Sequence, residues 1–256
     1  MKTLFILFFI ISLTFFSQEE YKVIKVSGTI ILEKDKSFLK RGSLFKDNDK
    51  LKFKTTNARA AVLKPGKGRF ILKPNNSNTM YARANLTPSM NNISSRGTGI
   101  TSSIDLNKYF TGNFVILNQS VIKINLEQYE MNDENFFYIR YYYNNEEVNK
   151  KLSHRGDTLI IEKVDLFLVD GAPIPDSNIK NMKLYYRTQS TKESQLISSF
   201  QPVFPNTEEL KQEVEMILKE IENQTEREKN IEVINYINEM YGKIDTYNVE
   251  YWITNN

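Results

Sequence analysis

Short runs of alternating apolar and polar residues dominate the chain from residue 19 to about residue 85. The clearest run is a predicted strand in which lysines alternate with Leu51 and Phe53, so that each residue type lies on its own face. The lysines of that strand are Lys50, Lys52 and Lys54. A turn signal at residues 65–68, Pro-Gly-Lys-Gly, joins two further strands. This spacing predicts a compact all-β domain.

Strand signals return between residues 105 and 204, where the pattern predicts an antiparallel sandwich or an open meander. The most aromatic tract is residues 135–143. Its tyrosines are Tyr138, Tyr141, Tyr142 and Tyr143. Alternate tyrosines on a strand either cover a core with their rings or present an aromatic surface to a ligand, and the first arrangement is the commoner one.

The pattern changes to a helical period after residue 205. Asn206 is a predicted N-cap, with Glu209 three residues later. The apolar stripe that follows consists of Leu210, Val214, Ile217, Leu218 and Ile221. Residues 222–230 are polar, so the segment is either two amphipathic helices or one long helix with a solvated middle. The stripe needs a cover, which is either the protein's own sheet or a partner protein.

These patterns predict a mainly β protein with an α-helical C-terminus, in which two small β domains precede one or two amphipathic helices. Residues 86–104 are rich in Ser, Thr, Asn, Gly and Pro and predict a linker between the β domains. The predicted boundaries are 19–85 for a basic β domain, 86–104 for the linker, 105–204 for an aromatic β domain, 205–242 for an acidic helical segment and 243–256 for a C-terminal tail.

Residues 1–18 form a separate unit, with Lys2 followed by an apolar run from Leu4 to Phe16. Thirteen residues of helix span roughly 20 Å, which is less than a bilayer core of about 30 Å. The length is typical of a signal peptide. Phe15 is unusual near the cleavage point, so an uncleaved N-terminal anchor is the alternative. We therefore expect export to the periplasm or cell surface, with no integral span once the signal is removed.

Within the first β domain, residues 23–74 resemble the β-rich domain of FecR-type periplasmic proteins. The resemblance rests on short glycine and hydrophobic spacings: Val26 to Ile30, Leu39 to Leu44, Asp49 to Leu51, Thr55-Thr56, Ala58 to Val62 and Gly68 to Leu72. It implies a β fold and a periplasmic binding or assembly role. It implies no catalytic residue, and nothing here supports signalling to a sigma factor.

The charge is divided unevenly along the chain, although the formal net charge is only +3. Residues 19–85 contain sixteen Lys and Arg against six Asp and Glu, whereas residues 207–242 contain four against ten. The basic residues that predict a polyanion or partner site are Lys50, Lys52, Lys54, Lys64, Lys67, Arg69 and Lys73. The alternative is a solvated lysine face that keeps strand edges from pairing.

The absence of cysteine and the presence of a single histidine, His154, exclude disulfides, thiolate metal sites and cysteine nucleophiles. His154 lies in a predicted turn, where neighbouring Ser153 and Asp157 cannot converge as a triad. No calcium or phosphate-binding loop is present. We expect no catalytic residue, no cofactor and no metal.

The sequence therefore predicts an exported, non-enzymatic protein of a bacterial cell envelope. The first hypothesis is an interaction or assembly component of an envelope protein complex. The alternative is a binding module for a glycan or another anionic envelope polymer, such as an anionic polysaccharide or lipopolysaccharide. A hydrolase that uses carboxylates alone is a further alternative. Nucleic acid is not an expected partner.

Overall fold

The computed structural model describes residues 20–75, 79–82, 86–88, 106–176 and 179–255. The protein is mainly β with helices at its C-terminus, as the hydrophobic pattern predicts. The predicted signal segment, and residues 89–104 of the predicted linker, lie outside the described residues. Residues 86–88 of that linker form a strand of the first β segment.

Two antiparallel sheets form the first β segment. Its strands are β1 (Glu20–Ser27), β2 (Ile30–Leu32), β3 (Ser37–Phe38), β4 (Leu44–Lys46), β5 (Lys50–Phe53), β6 (Arg59–Lys64), β7 (Gly68–Leu72), β8 (Thr79–Tyr81) and β9 (Leu86–Pro88). The larger sheet has the order β4-β1-β6-β7-β9 and the smaller one β3-β2-β5-β8. The two sheets enclose a core in which Val23 and Val62 meet Ile30 and Leu51.

The larger sheet is buried on both faces. Residues 60–64 of β6 are all buried, a run typical of a strand that is covered on each side. Ala60 and Val62 face the core that is shared with the smaller sheet, whereas Ala61 and Leu63 face a second core that is shared with the C-terminal helices. The small side chains of Ala60 and Ala61 therefore let the smaller sheet and the C-terminal helices pack closely on opposite faces of β6.

The second β segment contains a five-stranded sheet packed on a three-stranded one. Its strands are β10 (Asn113–Val115), β11 (Gln119–Lys123), β12 (Asn135–Tyr143), β13 (Glu146–Lys151), β14 (Ser153–Arg155), β15 (Thr158–Glu162), β16 (Leu168–Val169), β17 (Ala172–Pro173), β18 (Met182–Thr188) and β19 (Glu193–Val203). The sheet orders are β10-β19-β18-β12-β13 and β11-β15-β14, and β16 pairs with β17. The pairing is antiparallel except that β10 runs parallel to β19, which corrects the expected wholly antiparallel arrangement.

Two short helices, α1 (Leu106–Tyr109) and α2 (Lys163–Leu166), lie within the second β segment, and three longer ones follow it. The longer helices are α3 (Thr207–Glu220), α4 (Glu226–Met240) and α5 (Thr246–Asn255). Asn206 caps α3 by accepting a hydrogen bond from the backbone of Glu209, as predicted. Thr225 and Glu228 form a capping box that starts α4, so the polar stretch breaks the segment into two helices.

Residues 246–255, which lie within the predicted C-terminal tail, form helix α5. Its buried side chains are Asn248, Val249 and Trp252. Val249 and Trp252 join the core between the helices and the larger sheet, and Asn248 accepts a hydrogen bond from the backbone N–H of Val121 in β11. Helix α5 therefore joins β11 to the core between the helices and the larger sheet.

Candidate functional site

The basic and acidic segments of the chain are paired with each other. Lys25 of β1 and Glu213 of α3 form a salt bridge of 3.1 Å between Nζ and Oε1. The backbone N–H of Gly66, in the turn between β6 and β7, donates to Glu220 at the end of α3 over 2.7 Å. The basic residues of the first β segment and the acidic residues of the helical segment thus meet at the interface between the larger sheet and the helices.

Glu213 is the centre of a buried polar network. Its Oε2 accepts hydrogen bonds from the hydroxyls of Tyr236 at 2.7 Å and Tyr241 at 2.6 Å, while Oε1 faces Lys25. Burial, together with the negative charge of Glu213, raises the pKa of both tyrosines. The carboxylate is only 2% exposed but satisfied by three donors, as a buried charge requires.

Arg69 lies in the same interface rather than on the surface. Its Nε contacts Glu232 and its Nη1 contacts Glu239, each at 2.5 Å, and its guanidinium lies 5.5 Å from the ring centre of Tyr236. Only 5% of the residue is exposed. The prediction that Arg69 belongs to a polyanion site is therefore wrong, because two carboxylates of α4 already bind it.

Lys64 is also wrongly assigned to a polyanion site. Its ammonium donates to the hydroxyl of Tyr21 at 3.1 Å and contacts Asp47 at 3.2 Å, and the residue is 6% exposed. Lys67 and Lys73 are exposed, but they flank β7 of the larger sheet and are not on the same sheet as the remaining three lysines. The seven predicted cations thus do not form one surface.

Lys50, Lys52 and Lys54 do share a face, on the outer side of the smaller sheet. Leu51 and Phe53 point the other way and are buried, which confirms the predicted alternation. None of the three lysines makes a close ion pair with a carboxylate of the described residues, and Lys50 and Lys54 are exposed. A hydrogen bond from Lys36, with smaller contributions from the charges of Lys52 and Lys50, lowers the pKa of Glu33, so this carboxyl group lies near them. We call this surface the lysine face.

Two exposed aromatic rings flank the lysine face. Phe38, on the edge strand β3, lies in one cross-strand row with Ile31 and Lys52. Tyr81, on the opposite edge strand β8, pairs directly with Lys50. Phe38 is 64% exposed and Tyr81 61%. Cations along the middle strand and rings at both edges can contact a ligand that carries both negative charge and apolar surface.

The tyrosines of β12 are mostly structural, which corrects their assignment to one aromatic surface. Tyr141 is buried, and its hydroxyl donates to the carbonyl of Leu166. Tyr138 stacks on Tyr185 with ring centres 5.1 Å apart and is 6% exposed. Tyr143 is half-buried against the core. Only Tyr142, 59% exposed, presents most of its surface to solvent among the four.

A cation covers the stacked ring pair from outside. The guanidinium of Arg140 lies 4.8 Å from the ring centre of Tyr185 and 5.7 Å from that of Tyr138. Arg140 also pairs with Glu147 at 3.2 Å, so its charge is balanced within the sheet. A ligand could stack on these rings only after displacing Arg140, which makes this face a weaker candidate than the lysine face.

The apolar stripe of α3 packs on the protein's own sheet. Leu210, Val214, Ile217 and Ile221 are buried in one core with Ile24 and Ile71 of the larger sheet, and half-buried Leu218 packs against the same cluster. The sequence left open whether a partner protein covers this stripe. The structure identifies the cover as the larger sheet of the same chain.

His154 lies on strand β14, two residues before the turn at Gly156, and not in the turn where it was predicted. Its Nδ1 is 3.4 Å from the carbonyl oxygen of Gly156. The described residues contain no group of three side chains that could hold a metal ion. No helix in the described ranges has the length and hydrophobicity needed to cross a membrane.

Comparison with known proteins found no protein-family model that matches the chain, no similar curated protein and no similar solved structure.

Sequence reasoning missed the aromatic edges of the lysine face and the role of Glu213. Phe38 follows the turn-prone stretch Asp35-Lys36-Ser37, a signal that it lies at a hairpin end rather than in a core. Glu213 interrupts the apolar stripe of α3 one residue before Val214, which could have identified a buried carboxylate. Its partner Lys25 could not be found this way, because 188 residues separate the two.

Proposed function

We propose that this protein is an exported, non-catalytic binding protein of a bacterial cell envelope, and that its lysine face holds an anionic polysaccharide. The observation that carries the proposal is the row formed by Lys50, Lys52 and Lys54, which make no close ion pair with a carboxylate of the described residues and are flanked by the exposed rings of Phe38 and Tyr81. The predicted export signal, residues 1–18, and the resemblance of residues 23–74 to FecR-type β domains support the envelope location.

The spacing of the lysines suits a chain of charges. Alternate residues on a strand lie about 7 Å apart, so three ammonium groups extend over about 14 Å on one face. A polysaccharide with phosphate or carboxylate groups can contact several of them together, whereas a single small anion can contact one or two. The apolar faces of its sugar rings can pack on Phe38 and Tyr81, since aromatic rings bury large apolar areas.

A role in assembling envelope proteins is less well supported by the geometry. That hypothesis relies on the opposite charges of the two chain segments and on the apolar stripe of α3. Lys25, Arg69 and Glu213 form salt bridges with other residues of the same chain. The apolar stripe of α3 is buried against the larger sheet. The lysine face remains exposed to solvent at Lys50 and Lys54.

The test compares a triple variant with a matched control in binding to three polymers. In the first variant Lys50→Gln, Lys52→Gln and Lys54→Gln are combined, and in the control the exposed Lys180, Lys192 and Lys219 are replaced by Gln. Both variants lose the same net charge. The polymers are lipopolysaccharide, an acidic polysaccharide without lipid and a neutral glycan, and binding is measured by calorimetry.

We expect the wild type and the control to bind both acidic polymers, and the triple variant to bind them about tenfold more weakly, as the loss of a few exposed charge contacts implies. Binding should weaken with added salt, because the screening length falls from about 10 Å at 0.1 M to about 3 Å at 1 M. Equal losses in both variants, or equal binding of the neutral glycan, would overturn the proposal.

The aromatic contribution has its own control. Phe38→Ser removes one ring at the edge of the lysine face, whereas Leu44→Ser removes a side chain of comparable exposure, 51%, from the larger sheet. We expect the first change to weaken binding of the acidic polysaccharide severalfold and the second to leave it unchanged. Identical affinities would show that the ligand contacts the charges alone.

A further inference from the structure

Strand β13 is an edge of the five-stranded sheet. It pairs with β12 on one side, and no strand in the described ranges pairs with its other side. Its Glu146, Glu147, Asn149 and Lys151 are exposed. The free backbone groups of such an edge can pair with another chain, and the charged side chains along it limit which chains can do so.

The hydrogen-bond pattern shows which backbone groups of β13 are free to pair. The N–H of Leu152 donates to the carbonyl of Phe137 at 2.9 Å, so these two residues form a hydrogen-bonded pair. Because such pairs alternate along antiparallel strands, residues 146, 148 and 150 bond to β12. The N–H and C=O groups of Glu147, Asn149 and Lys151 therefore point away from β12, towards the open edge.

The sequence of β13 is complementary to itself when it is reversed. It reads Glu-Glu-Val-Asn-Lys-Lys from residue 146 to residue 151. In an antiparallel pair, residues that lie opposite each other share a face of the sheet, and of the registers of β13 with its own copy that satisfy this rule, two place Glu opposite Lys. Centred on Asn149, Glu147 lies opposite Lys151. Centred on Val148, Glu146 lies opposite Lys150.

We propose that β13 pairs antiparallel with β13 of a second copy of this chain, in a two-fold symmetric dimer that joins the two five-stranded sheets. Each permitted register brings an acidic residue opposite a basic one twice, once on each side of the symmetry axis. The outward backbone groups of Glu147 and Asn149 form the central hydrogen bonds in both.

The same charges discourage unrelated partners. A strand whose charges do not complement those of β13 places like charges or apolar side chains opposite its glutamates and lysines, which costs stability. Glu147 has a cation of its own chain nearby in Arg140, 3.2 Å away, and Lys151 covers the ring of Phe136 at 4.4 Å. In the dimer, the cations and carboxylates form a continuous row across the axis.

The decisive experiment reverses charges in two variants of the full chain. One carries Glu146→Lys and Glu147→Lys, and the other Lys150→Glu and Lys151→Glu. Each variant alone places like charges opposite each other in both registers, whereas a mixture of the two places opposite charges at every such position. The dissociation constants of the variants alone and mixed are measured by sedimentation equilibrium.

We expect the wild type to dimerise, each variant alone to dimerise at least tenfold more weakly, and the equimolar mixture to form a heterodimer at least as tight as the wild type. Circular dichroism and the melting temperature check the fold, because Lys150 also contacts the backbone of Leu168. A wild type that stays monomeric up to about 1 mM, a concentration that corresponds to only about 4 kcal/mol of binding, overturns the proposal.

A proline variant tests the edge without changing any charge. Asn149→Pro removes an N–H that points to the open edge, a position where proline is tolerated in edge strands. We expect it to abolish the dimer while the monomer stays folded. An Asn149→Pro protein that is folded and dimerises like the wild type also overturns the proposal.

Discussion

Lys25 and Glu213 lie 188 residues apart in the sequence and form a salt bridge of 3.1 Å, in which the carboxylate side chain is 3% exposed and the lysine side chain 21%. The pair joins the first strand of the chain to the first of its three C-terminal helices. Arg69 repeats the arrangement with Glu232 and Glu239 of α4. Salt bridges between residues that are far apart in the sequence therefore hold the C-terminal helices against the larger sheet of the first β segment.

Removing the Glu213 carboxylate should destabilise the protein strongly. In Glu213→Ala, the hydroxyls of Tyr236 and Tyr241 and the ammonium of Lys25 lose their shared acceptor. Breaking a buried ion pair by deleting one partner costs about 3 kcal/mol or more. We expect a loss of that size in urea unfolding, with a smaller loss for Glu213→Gln, which keeps an acceptor oxygen.

Glu215→Ala, an exposed position on the same helix, is the matched control and should change the unfolding free energy by less than about 0.5 kcal/mol. Equal effects at the two positions would mean that the buried network does not stabilise the interface.

Replacing Arg69 by lysine should loosen α4 although the charge is kept. The guanidinium contacts Glu232 through Nε and Glu239 through Nη1, and a single ammonium lacks this planar geometry. We expect Arg69→Lys to lower the unfolding free energy by about 1 to 2 kcal/mol, the scale of a lost charged hydrogen bond. Hydrogen exchange should be faster in α4 and unchanged in β12, and uniform protection across both would contradict this.

Local patterns in the sequence predicted the elements better than their packing. The alternation around Leu51, the strand at residues 135–143 and the N-cap at Asn206 are all confirmed. Each depends on neighbours within a few residues, so periodicity and capping chemistry suffice. Helix α5 was missed because most of its residues are Thr, Asn, Val, Tyr and Ile, which have low helix propensity, and because it buries Asn248, a polar residue.

Long-range packing decided which predicted site residues are available. Nothing in the sequence distinguishes Lys64 and Arg69 from Lys50, since all three are cations on predicted strands. The difference arises because Lys64 meets Asp47 and Arg69 meets α4, whereas Lys50 faces solvent. An excess of basic residues in one segment therefore predicts that the segment binds negatively charged groups. It does not predict whether those groups belong to a ligand or to carboxylates of the same chain.

Alkaline pH should destabilise the protein. Burial raises the pKa of Tyr141 from 10.0 to about 12, and burial next to Glu213 raises the pKa of Tyr236 and Tyr241 as well. Above pH 10 the unfolded chain releases protons that the folded protein keeps. These tyrosines therefore leave the free energy of unfolding unchanged below about pH 10. Above about pH 10, each tyrosine that stays protonated in the folded protein lowers the free energy of unfolding by about 1.4 kcal/mol per pH unit.

Urea unfolding between pH 9 and about pH 12 measures this slope for the tyrosines. Tyr236→Phe removes one of the titrating groups, so its unfolding free energy should fall less steeply with pH than that of the wild type. A variant with the same slope would mean that Tyr236 ionises equally in the folded and unfolded chains.

Gly28, which lies between β1 and β2, should tolerate no side chain. Its φ is +76°, and an added Cβ would lie 2.3 Å from Oγ1 of Thr55 and 3.0 Å from Cα of Ala58. Gly66 is the matched control, since its φ is +69° but nothing lies within 4 Å of an added Cβ. Gly66→Ala should therefore cost only the left-handed backbone penalty of about 1 to 2 kcal/mol. Gly28→Ala should cost clearly more in urea unfolding, because the backbone of Ala58 cannot move aside without shifting β6. Equal losses at the two glycines would show that conformation alone, and not the close approach of Thr55 and Ala58, requires glycine at residue 28.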